Sequence, residues 1–103
     1  MNPLGIFSTV YGPLPAAELA ERIRRDGFTC THLEPRTGAL AGPDGEFDVA
    51  RVRAIRAAFA DAGVEISAVG GYTNLVDADQ ARREAGITKL ERLIDVTPEF
   101  GTP

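Results

Sequence analysis

His32 and Glu34 stand two residues apart in the stretch FTCTHLE, the spacing that puts alternate side chains of an extended strand on one face. Cys30 shares that face, while Thr31 and Leu33 fall on the other, toward a covering helix. An imidazole beside a carboxylate can bind a hydroxylated ligand or hold a metal ion. One His and one Glu from a single strand make an incomplete metal site, because zinc takes three or four protein ligands. A histidine inside the fold, hydrogen-bonded to a neighbouring strand, is the commoner use of such a residue. His32 and Glu34 are therefore read as substrate-shell residues and not as metal ligands. Arg36, just outside, carries a fork of donors that matches phosphate or carboxylate; a solvated loop arginine is the simpler reading.

A second candidate is the run Gly70, Gly71, Tyr72, Thr73, Asn74. Two glycines at a strand end let a ligand or another backbone approach closely, and hydroxyl and amide groups follow for hydrogen bonding. A plain turn, with glycine at positive φ and Asn74 capping locally, explains the same residues. Ser8, Thr9 and Tyr11 lie where the first strand gives way to its loop, and an aromatic ring there can stack on the apolar face of a sugar or pack under its own loop. Asp44, Glu46 and Asp48 lack the twelve-residue calcium-loop pattern, and are read as solvating a loop and capping a helix. No GxGxxG opens a helix after any strand, which excludes the dinucleotide fingerprint.

These residues need elements to position them. Leu4 to Val10 reads as a strand, punctuated by Gly12, Pro13 and Pro15. From Ala16, Leu19, Ala20 and Ile23 recur at helical spacing, with Pro15 at the first helical position and Gly27 just past the end. Phe28 to Glu34 is a second strand, broken by Pro35, and Arg36 to Glu46 is a loop. Asp48 caps a helix bearing Val49, Val52, Ile55 and Phe59, ended by Gly63. Val64 to Val69 is a third strand. Asp77 with Gln80 resembles a capping box before a third helix with Ile87, Leu90, Leu93 and Ile94 on its apolar stripe, ended by Pro98 and Gly101.

The helix-ending glycines repeat: 36 residues separate Gly27 from Gly63, and 38 separate Gly63 from Gly101. Each period is one βα unit, with RRDGF, ADAGV and PEFGT at equivalent places. Such alternation predicts an α/β fold of three consecutive βα units with parallel strands, whose two sheet faces both need cover. Three strands cannot close a barrel, so the expectation is that residues 1–103 are a single partial domain of a longer one.

The chain has 103 residues, a net charge of −4, 44% apolar residues and one cysteine. That composition excludes disorder. The acidic balance argues against a nucleic-acid partner, and no apolar run reaches the roughly 18 residues of a membrane span. A lone Cys30 makes no intrachain disulfide, which fits a cytoplasmic protein.

The segments LGIFSTVYG, GFTCTHLEPR and above all DAGVEISAVGGYTNLVD, followed by RREAGITKLERLID and EFGTP, resemble the sugar phosphate isomerase/epimerase family, the xylose-isomerase-like TIM barrels. The likeness runs along essentially the whole chain. In that family a helix ends in AG plus an aliphatic residue, a strand close to EISAV follows, and a polar loop leads to a helix with a spaced Arg and a late ID. LIDVTPEFG departs from the family's alanine-rich helix end.

The resemblance implies strand 1 to helix 3 of a (β/α)8 barrel and a carbohydrate substrate. It also implies a divalent metal ion held by Glu, Asp, His and Glu of later strands, beyond Pro103, so no catalytic or metal residue carries over. The chemistry implied is proton transfer next to a carbonyl, as isomerase, epimerase or dehydratase. In a barrel the loops after the strands form the mouth, which makes Tyr11, His32, Glu34, Arg36, Gly70, Gly71, Tyr72 and Asn74 the substrate-binding candidates.

Two other classes stand beside this one. A complete α/β binding module would pair its free sheet edge with another copy to form a homo-oligomer. Family-two apurinic endonucleases share the barrel, but they place metal-binding His residues on early strands where this sequence has GGY, and the net charge is wrong for DNA.

Overall fold

A computed structural model of the chain describes residues 4–35, 40–41, 47–71 and 75–102. The order of elements is β1 (Gly5–Phe7), a 3-10 turn (Ser8–Tyr11), α1 (Ala16–Arg25), β2 (Cys30–Leu33), α2 (Val49–Asp61), β3 (Glu65–Val69), α3 (Gln80–Val96) and a second 3-10 turn (Thr97–Phe100). The three strands form one parallel sheet in the order β1-β2-β3. The protein is thus an α/β fold of successive βα units. Among the described residues no helix is long and apolar enough to cross a membrane.

The repeat seen in the glycines is a repeat of helix ends. Gly27 and Gly63 sit at φ +94° and +75°, a conformation that costs other residues. After α1, the Gly27 N–H donates to the Arg24 carbonyl and the Phe28 N–H to the Ile23 carbonyl; after α2, Gly63 donates to Ala60 and Val64 to Phe59. Both are Schellman motifs, in which the chain reverses out of the helix with its last carbonyls satisfied and enters the next strand. The third unit differs. α3 stops at Val96, the turn TPEF intervenes, and Gly101 takes φ +76° after it.

Several boundaries differ from the sequence reading. β1 ends at Phe7 instead of running to Val10, because the chain turns into 3-10 geometry at Ser8. β2 is shorter at both ends than Phe28 to Glu34, and β3 starts at Glu65. Pro15 is the N-cap of α1, one position before the first helical residue. Asp48 caps α2 as expected, its carboxylate accepting the Arg51 N–H at 2.7 Å. For α3 the cap is Asp79, which accepts the Arg82 N–H, while Asp77, two residues earlier, accepts the Asp79 N–H. Two aspartates at this spacing compete for one role, and the one nearer the helix takes it.

One apolar core joins helices and sheet: Leu19, Ala20 and Ile23 of α1, Val52, Ile55 and Phe59 of α2, Leu93 of α3, and Phe100 of the second 3-10 turn surround Leu33, Val64 and Ile66. α1 packs on α2, and α2 on the second 3-10 turn, so the helical layer lies on one side of the sheet. Val49 and Ile94, expected on apolar stripes, are exposed, Ile94 at 59%, because their flanks turn away from this single core.

On β2, Thr31 and Leu33 face the helices and are fully buried, whereas Cys30 and His32 on the opposite face are half-buried. On β3, Ser67 is an extra residue: Thr31 is level with Ile66 but His32 with Ala68. This bulge lets Ile66 and Val69 both reach the core although they are three apart. Among the described residues nothing helical covers the other face, where Phe7 is 52% exposed.

Candidate functional site

The C-terminal end of the sheet gathers Phe7, Ser8, His32, Leu33, Glu34 and Gly70. Phe7 is level with His32 on the neighbouring strand, and their rings lie 4.6 Å apart, tilted by 38°. The His32 Nε2 atom is buried and has no hydrogen-bond partner among the described residues. A buried polar atom left in that state costs free energy unless something else binds it.

Glu34, just beyond β2, is 5% exposed. Its N–H donates to Ser8 Oγ at 2.9 Å, and the carbonyl of the same peptide unit, that of Leu33, accepts the Gly70 N–H at 2.7 Å. Two further hydroxyls stitch the sheet below: Thr31 Oγ1 donates to the Ile6 carbonyl and Ser67 Oγ to the Thr31 carbonyl. Gly5 is small because a Cβ there would stand 2.8 Å from Cys30 Sγ.

The structure thus brings His32, Glu34 and Gly70 to one rim. Gly71 lies beside them, but a Cβ on it would stand 2.7 Å from Leu90 and 3.1 Å from Leu93. The close approach that this glycine permits is by the side chains of α3. Neither Gly70 nor Gly71 has positive φ. Tyr11 is placed elsewhere: its ring packs against the core, and its hydroxyl donates to Asp26 Oδ2 at 2.9 Å. Burial, then the hydrogen bond to Asp26 and the charge of Asp26, raise its phenol above the ordinary value of 10.0, with Arg22 opposing. Arg36, Tyr72 and Asn74 lie outside the described residues, as do Asp44 and Glu46.

Compared with known proteins, the chain matches no family model and no curated sequence. An unsatisfied imidazole nitrogen, an aromatic ring and a carboxylate at one strand end suit a ligand with hydroxyl groups and an apolar face.

Sequence reasoning set Ser8 beside Thr9 and Tyr11 at the first strand's end but gave it no partner. Its signal is a hydroxyl two residues before the first strand's expected end, which reads equally well as a strand residue. A cross-strand partner 26 positions away has no local trace.

Proposed function

We propose that this chain supplies the first three βα units of a closed parallel barrel that isomerises or epimerises a sugar or sugar phosphate in the cytoplasm, by proton transfer next to a carbonyl. The observation that carries the reading is a sheet face that no helix covers among the described residues, where His32 Nε2 at its C-terminal end also has no hydrogen-bond partner. Parallel sheets are buried on both faces. A doubly wound sheet achieves this with helices on each side, whereas consecutive strand order with helices on one side is the arrangement of a barrel. Barrel sites form at the C-terminal ends of the strands, where His32, Glu34 and Gly70 meet.

Related barrels use a divalent metal ion. Among the described residues no three His, Cys, Asp or Glu side chains gather to hold one. These residues do not fit a metal centre, and the ligands of such an ion would belong to other strands. The role left to this segment is to bind and orient: His32 Nε2 hydrogen-bonds a substrate hydroxyl, Phe7 packs beside it, and Glu34 stands fixed at the rim.

The test follows deuterium from solvent into the carbon next to the carbonyl of a panel of aldoses, ketoses and inososes, with magnesium or manganese present. The barrel containing this segment incorporates deuterium, and the 103-residue chain alone does not. His32→Ala mainly raises KM, with about 1–3 kcal/mol lost in kcat/KM. Turnover by the isolated chain, or a barrel indifferent to His32→Ala, contradicts the proposal.

The exposed Phe7 on the face away from the helices supports a second reading, a binding module that covers that face with another copy of itself.

A further inference from the structure

We propose that Ser8 is a positioning residue for Glu34, its buried hydroxyl fixing the direction in which Glu34 leaves the sheet. The inference rests on the reading of this rim as a substrate pocket. Phe7 and His32 are level in the parallel ladder, so the next rung toward β1 belongs to Glu34, two residues on. β1 has no strand residue to meet it, because the chain enters the 3-10 turn at Ser8. Ser8 Oγ, on a residue 2% exposed, takes the place of the missing carbonyl and accepts the Glu34 N–H at 2.9 Å.

The other end of the same peptide is held as firmly. Leu33 C=O accepts the Gly70 N–H at 2.7 Å, so the Leu33–Glu34 peptide is clamped between the ends of β1 and β3. A peptide plane fixed at both its donor and its acceptor sets the Cα–Cβ direction of the residue that follows. Site residues perform best when the groups behind them allow one orientation. An alanine at position 8 removes the acceptor without touching Glu34's side chain, and a cysteine replaces it with a weak acceptor of similar shape.

The experiment compares wild type, Ser8→Ala and Ser8→Cys by NMR on isotopically labelled protein, reading amide exchange along β2 and the β-methylene couplings of Glu34. In Ser8→Ala the Glu34 amide should exchange about tenfold faster relative to the other β2 amides, and its couplings should average over rotamers. Ser8→Cys should show the same two changes to a smaller degree, and it decides the matter alone if the alanine variant does not fold. Uniform acceleration of all β2 amides with Glu34 couplings unchanged would assign Ser8 to general stability and overturn the proposal, as would wild-type behaviour of Ser8→Cys. No sugar enters this measurement, so its outcome is independent of the deuterium-incorporation test.

Discussion

Tyr11 and Ser8 show what single side chains contribute here. The Tyr11 phenol is held above its ordinary value of 10.0 by burial and by Asp26, so the folded chain keeps a proton that the unfolded chain has already lost. The stability linked to this group is whole below pH 10.0 and declines as the pH rises from there through the folded-state value. Absorbance near 295 nm should therefore show a late-titrating tyrosine, and Asp26→Asn should move its midpoint down. An unchanged midpoint would mean that Asp26 has no hold on the phenol. Ser8→Ala leaves the buried Glu34 N–H without its acceptor, a loss of about 1–3 kcal/mol in urea unfolding with an unchanged denaturant slope.

Helix ends carry most of what was readable in advance. The spacing of Gly27 and Gly63 located both helix-to-strand transitions, because each Schellman motif needs positive φ at one position and only glycine takes it cheaply. A Cβ at Gly63 would meet nothing closer than Arg24 Nε at 3.8 Å, so the cost of substitution is conformational. Gly63→Val should lose more than about 1 kcal/mol, and thermal unfolding at the wild-type temperature would contradict the cap. Elements shaped by distant partners were harder to read. Val10 looks like a strand residue, yet β1 yields at Ser8, whose oxygen is claimed by a peptide far along the chain. Ile94 fits a helical stripe, but α3 lies at the margin of the core and buries only Leu93 fully. At the rim, the two-residue period placed Cys30 and His32 on one face of β2, with Glu34 next in line. The nitrogen left unsatisfied at His32 depends on what surrounds it in space, which no spacing reveals.

At the scale of the whole molecule, a helical layer lies on one side of the sheet, and among the described residues no helix covers the other. Its core depends on the distal segment: Phe100 is buried against α2, and Arg53 on that helix pairs with Glu99 at 3.0 Å. Phe100→Ala should therefore cost about 3–5 kcal/mol, while Glu99→Gln, which loses only an exposed ion pair, should cost under about 1 kcal/mol; equal effects in thermal melts would mean that the segment is not docked through its ring. The uncovered face and the two edge strands, β1 and β3, are the features that a closed barrel would cover and pair. Light scattering of the purified 103-residue chain tests that account most directly. The barrel reading predicts a heterogeneous, associating population, because in it the uncovered face and both edges belong against further strands. A single defined species, whether monomer or fixed oligomer, would contradict it and make the chain a module complete in itself.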